Sequence, residues 1–188
     1  MREVEFRGKW DFKRIKPTPF ADTRTAPRVP TKDELLEASL EHIDNVKQGM
    51  SFMANYLWGM ASRHDSDKIM DIDVFHQDFA RAMETDFKFT DGDWYSSHVR
   101  MAHHFRERIN SGMETVYELD INLMDVLEMI VDVVMAAKGR GGKVHADIDP
   151  AILVRAYYNT VKQTESAVMV CDCGEKCDQC NVSLRHNG

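Results

Sequence analysis

Residues 121–138 read INLMDVLEMIVDVVMAAK. Leu123, Leu127, Ile130 and Val134 recur at spacings of four, three and four, the period of a helix face and not the alternation of a strand. The stretch therefore predicts a helix from about Asn122 to Lys138, closed by Gly139, with those four residues toward the core. Glu128 and Asp132 are four apart and stack on a neighbouring face. On a helical wheel Met124, Val131 and Met135 flank them on one side, Asp125 and Met129 on the other. Two carboxylates among methionines and valine read as buried or as lining a cleft, where a metal or a basic partner offsets the cost of their charge. A plain polar edge is the alternative.

Helical periodicity extends in both directions and strand signals are almost absent, so the chain reads as an all-α bundle without internal repeats. Pro30 precedes Thr31-Lys32-Asp33-Glu34, the S/T-x-x-E capping box, which starts a helix running to about Ser62. Leu35, Ala38, His42, Val46, Gly49 and Met53 form its expected stripe. His42 then faces inward, as a core histidine if alone and as a ligand if other donors converge on it. A second helical stretch is expected from Asp71 to about Phe87. Asp91-Gly92 is a turn, and Asp93 caps a third helix through Trp94, His98, His103 and His104. Asp149-Pro150 begins a last helix reaching about Met169. KGRGGK, residues 138–143, reads as a helix end and loop. Phosphate binding through its amides and cations is the weaker alternative, because it lacks a Walker pattern.

The 188-residue chain is 43% hydrophobic and 29% charged, the balance of a soluble globular protein. No apolar run approaches a membrane span, and MREVEFRGKW has no secretory apolar region. The organisation predicted is an extended arm over 1–30, a helical domain over 31–170 and a Cys-rich tail over 171–188. The arm contains four of the five prolines, with a short strand at Val4–Phe6, and is expected to lie against the body. Its eight Lys/Arg against four Asp/Glu contrast with sixteen against twenty-seven in the remainder. An acidic body argues against broad nucleic-acid binding but is compatible with a small phosphate ester held through a metal. All four cysteines fall at 171–180, which fits a reducing, cytoplasmic setting.

The chemistry-bearing residues form a series. His98, His103 and His104 place three imidazoles, the commonest nitrogen ligands of divalent metals, within seven residues. On one straight helix His98 and His103 lie about 140° apart. Convergence of all three requires the helix to bend or break; otherwise His98 and one of the adjacent pair face the site. SRHDSDK, residues 62–68, adds His64-Asp65 with Lys68 one turn later. Mixed histidine and carboxylate donors bind Mn, Fe, Co, Ni or Zn, and Mg as a harder alternative.

These motifs carry a resemblance. LEHIDNV at 40–46, RHDSDK at 63–68, W-x3-H…HH at 94–104 and MDVLEMIVD at 124–132 together resemble the HD-domain metal-dependent phosphohydrolase superfamily. More closely, they resemble small phage and bacterial helical proteins with HD-like motifs, and the opening MREVEFRGK also resembles phage proteins. The compartment implied is then the host cytoplasm. The resemblance covers about residues 33–165 and implies an HD-like helical bundle. It makes His42, His64, Asp65 and Asp132 the metal ligands, with His98, His103 and His104 completing a second metal position or contacting phosphate. Lys68 resembles the basic residue that neutralises a phosphoryl oxygen, and Lys68, Arg100 and His104 are the substrate-binding candidates. Asp65, Lys68 and Glu128 are the catalytic candidates, Glu128 as general base or as the group that orients the ligands. The activity implied is metal-dependent hydrolysis of a nucleotide or related small phosphate ester, with self-association left open.

Two other readings stand beside it. Glu128 and Asp132 also resemble the E-x3-D helix of all-α nucleoside-triphosphate pyrophosphohydrolases, a chemistry that needs no histidine. A nucleotide-sequestering protein with a structural metal is the non-catalytic alternative. Separately, Cys171, Cys173, Cys177 and Cys180 in CDCGEKCDQC suit one Zn or soft metal, or form an unligated redox-sensitive tail.

Overall fold

A computed structural model describes residues 18–168. The Cys171–Cys180 cluster, the Val4–Phe6 strand and most of the 1–30 arm lie outside the described residues. Within them the fold is all-α, with no strand. The helices are α1 (Lys32–Ala61), α2 (Asp67–Met70), α3 (Ile72–Glu84), α4 (Asp93–His98), α5 (Phe105–Asn110), α6 (Leu123–Gly139) and α7 (Pro150–Ala167). Short 3-10 turns occupy Pro19–Ala21, Phe89–Asp91 and Ala102–His104. No described helix is long and apolar enough to cross a membrane. The chain divides into two compact units, one containing the residues up to Phe52 and those from Thr164 on, the other Met53–Gln163.

In the first unit the capping box forms as read. Glu34 N–H donates to Thr31 Oγ1 at 3.2 Å and Thr31 N–H to Glu34 Oε2 at 2.9 Å. Arg28 donates to both Glu34 oxygens, and with Thr31 holds that carboxyl down at about 2. The face of α1 meets the expectation only in part. Ala38 and Phe52 are buried, whereas Leu35, Val46 and His42 are exposed. His42 therefore does not point inward, because α1 packs through a neighbouring stripe of its wheel.

The second unit is built around Phe105, Leu119, Ile121, Val126, Met129, Ile152 and Ala156. Asn122 caps α6, its Oδ1 accepting from Met124 and Asp125 N–H, while Asp125 Oδ2 accepts from Asn122 N–H at 2.7 Å. α7 fastens the chain leading into α6. Thr160 Oγ1 accepts from Leu123 N–H, Gln163 Oε1 from Asn122 Nδ2, and Asn159 Nδ2 donates to Ile121 O. The buried residues of α6 are Met124, Asp125, Val126, Met129 and Ala137, while Leu127 and Ile130 are 47% and 41% exposed. Val126, Met129, Val133 and Ala137 repeat with the same helical spacing as the expected stripe. Periodicity could not choose between two apolar faces; contacts with Phe105, Ile152 and Ala156 do.

The expected second helix is α3, and a further short helix precedes it. α2 begins before it, at Asp67, and α3 stops at Glu84, where Thr85 Oγ1 donates to Arg81 O and accepts from Phe87 N–H. The expected third helix breaks after His98, and the 3-10 turn and α5 follow.

Candidate metal centre

The break between α4 and α5 creates the centre. Asp78, buried on α3, caps α4 from outside by accepting Trp94 N–H at 3.0 Å. Gly92 permits that approach: a Cβ there would stand 2.8 Å from Asp78 Cγ and nearer still to Oδ2. At the far end, Arg108 donates to the carbonyls of Val99 and Met101 and pairs with Glu114 at 2.9 Å. A buried guanidinium thus holds the carbonyls that the broken helix leaves over. The redirected backbone brings His98, His103 and His104 to one pocket, meeting the condition that their spacing imposed on a straight helix.

Asp65 stands at the centre. Its φ of 52° makes it the one described non-glycine residue in left-handed backbone, a conformation that Asp tolerates better than most residues. Its Oδ1 lies 3.7 Å from His98 Nε2 and 3.6 Å from His103 Nε2. Its Oδ2 lies 3.5 Å from His64 Nε2 and accepts from Lys68. Asp132 Oδ1 is 3.4 Å from the same His64 nitrogen, and His104 Nε2 is 2.8 Å from His98 Nε2.

The four rings share an orientation. Each turns Nε2 inward and presents Nδ1 to a carboxylate. Glu128 Oε1 serves both His64 at 3.0 Å and His103 at 3.5 Å. Asp67 serves His98 at 2.7 Å, and Glu107 faces His104 at 3.6 Å. Carboxylates behind the outer nitrogens favour protons there and so inner lone pairs, the arrangement found around metal-bound histidines, while the facing Nε2 atoms of His98 and His104 share one proton when no cation lies between them.

Two groups of donors are close enough to hold cations, His64–Asp65–His103 and Asp65–His98–His104, and they share Asp65. Asp65 Oδ1 and His103 Nε2 are buried without a hydrogen-bond partner. Unmatched buried donors and acceptors are costly, and these two fit a cation between them. The donor set of imidazoles and carboxylates suits a borderline divalent metal.

Electrostatics follow the packing. Burial works to raise the Asp65 carboxyl, but His103, Lys68 and His64 together hold it well below the usual carboxylate range. Burial pushes His98 below its ordinary value, with Asp67 opposing. For His103, burial is outweighed by Asp65, Glu128 and Asp132, and the net direction is upward. For Glu107, burial is outweighed chiefly by His104, and the carboxyl is lowered.

The pocket thus gathers His64, Asp65, Lys68, His98, His103, His104, Glu128 and Asp132. His42 is exposed on α1, in the other unit. Arg100 is exposed on the turn after α4 and makes none of the described contacts that tie the pocket together. Reading the sequence missed Asp67, Glu107 and Arg108. Asp67 had one visible signal, its place inside HDSDK; Glu107 had its i,i+3 spacing to His104, and Arg108 acts on the carbonyls of Val99 and Met101, which the helix break leaves over.

Compared with protein-family models, with curated proteins and with solved structures, the chain matches none.

Proposed function

We propose that this chain is a metal-dependent phosphohydrolase acting on a nucleotide or related small phosphate ester. The observation that carries the reading is the inward Nε2 orientation of four histidines around Asp65, each backed by a carboxylate. His64, His103, Asp65 and Asp132 would hold one cation, and His98, His104 and Asp65 a second. The resemblance of RHDSDK and its companion motifs to HD-domain enzymes supports the same assignment. A divalent cation held there supplies Lewis acidity toward a phosphoryl oxygen and lowers the pKa of water.

The chain's own groups divide the remaining work. Asp65 stays ionised and is shared by both sets of donors. Lys68, 40% exposed and paired with Asp65, is placed to meet a phosphoryl oxygen as a point charge. Glu128 is engaged by His64 and His103, which favours orienting those rings over acting as general base. The same engagement disfavours a pyrophosphohydrolase in which Glu128 and Asp132 alone hold Mg.

The test is hydrolysis of a panel of nucleoside mono-, di- and triphosphates with Mn, Co and Mg, beside thermal melts with and without chelator. Activity abolished by chelator and by Asp65→Asn is the expected result. Full activity in Asp65→Asn would refute the assignment. A chelator-dependent fall in Tm without turnover on any substrate would replace it with a sequestering protein that contains a structural metal.

A further inference from the structure

We propose that Asp67 is the positioning residue that prepares His98 to bind a cation, an inference that rests on the metal-centre reading above. Asp67 Oδ2 lies 2.7 Å from His98 Nδ1. The other carboxylate-to-Nδ1 separations in the pocket are 3.0, 3.5 and 3.6 Å, so this is the tightest of the four. His98 is 5% exposed, and Trp94 stacks on its ring with centroids 4.4 Å apart and planes 20° from parallel. The imidazole is thus fixed in orientation by one neighbour and in tautomer by another.

A carboxylate at Nδ1 keeps the proton on that nitrogen and leaves Nε2 with its lone pair. Nε2 is the atom facing His104 Nε2 and Asp65 Oδ1. Without Asp67 the proton is free to move to Nε2, which then donates to His104 or Asp65 and is lost as a ligand. The other Asp67 oxygen, Oδ1, is buried without a hydrogen-bond partner, so the side chain is held for this single contact. Asp67 opens α2 two residues after Asp65. One tight turn therefore sets both the shared carboxylate and the histidine that faces it. Asp67 acts through His98, not on a substrate.

The test uses the full chain, stripped with chelator and titrated with Co(II) alone. Ligand-field absorption and competition with a chelating indicator are compared for wild type, Asp67→Ala, Asp67→Asn and Asp67→Glu. Asp67→Ala is expected to weaken one Co(II) position by about 10–100-fold and to leave the other unchanged. Asp67→Glu is expected to restore much of the loss, and Asp67→Asn, which still accepts from Nδ1–H but has no charge, to fall between. If Asp67→Ala binds Co(II) as wild type does, the positioning role is overturned and the metal-centre reading stands. If wild type takes up no Co(II), both are overturned. Should the alanine variant fail to fold, long-range proton–nitrogen correlation spectra of cation-free wild type decide. A proton on Nδ1 of His98 supports the role, and a proton on Nε2 overturns it.

Discussion

The two sides of Asp65 are built differently. His64 and His103 share one backing carboxylate, Glu128, which projects from the seventeen-residue α6 with its reciprocal cap at Asn122 and Asp125. His98 and His104 each have their own, Asp67 and Glu107, from helices of four and six residues. One side draws its geometry from a long element packed on the core. The other draws it from short pieces held by a few side-chain to backbone contacts, Asp78 to Trp94 and Arg108 to the carbonyls of Val99 and Met101. A change on α6 should therefore disturb two histidines together, whereas changes around α2, α4 and α5 should disturb them one at a time.

Asp65→Asn removes what the two sides have in common and has the largest expected effect. Turnover should fall by orders of magnitude and cation binding should weaken at both positions. Folding should survive with a moderate loss of stability, since Asn also tolerates left-handed backbone but removes a charge that His103, Lys68 and His64 stabilise. Parallel activity assays, metal analysis and melts would show this. Metal lost from one position only would mean that Asp65 is not shared.

Glu128→Gln sharpens the comparison from the α6 side. It should weaken the His64–His103 position by about 10–100-fold, as expected for loss of an orienting carboxylate, and spare the His98–His104 position. Equal weakening of both, measured by Co(II) titration, would show that the sides are not independent.

Gly92→Ala acts on the other side. The added methyl forces Asp78 away from Trp94 N–H, so α4 loses its cap at a cost of about 1–3 kcal/mol. Denaturant unfolding should register the loss, and Co(II) binding should weaken at His98–His104 first. An unchanged midpoint would mean that Asp78 readily finds another position.

The smallest effect is a pH dependence within the α6 cap. Burial raises Asp125 to about 6, against partial opposition from Asn122 N–H. The folded state then binds this proton more tightly than the unfolded chain does, so stability declines as pH rises from about 4 to about 6. Asp125→Asn removes that decline while keeping an acceptor for Asn122 N–H. In chelated protein its Tm relative to wild type should be more favourable at about pH 7 than at about pH 4. A pH-independent difference would show that Asp125 titrates normally.

What the sequence disclosed tracks how local the cause is. The Thr31–Glu34 box, the stop at Gly139 and the start at Pro150 depend on neighbours in the chain and were legible. The packing face of α6 was not, because Val126, Met129, Val133 and Ala137 repeat as regularly as Leu127, Ile130 and Val134. The inward expectation for His42 failed for the same reason on α1. The histidine cluster occupied an intermediate place. Its spacing showed that a straight helix could not converge, but the break depends on side-chain to backbone contacts of Arg108 and Asp78 that no periodicity announces. The role of Asp67 became visible only once His98 was seen against it, whereas Glu107 stands one turn from His104 and was open to a reading by spacing.

The stacking of Trp94 on His98 gives the centre an optical signal. Of the three tryptophans, Trp58 is 77% exposed while Trp94 is buried against a ring whose charge state depends on what occupies its far nitrogen. A cation at His98 draws electron density from the imidazole and strengthens its attraction for the indole face. Intrinsic fluorescence excited at the tryptophan band should therefore change as that one position fills. Trp94→Phe should silence the change, giving a label-free readout of occupancy written into the chain itself.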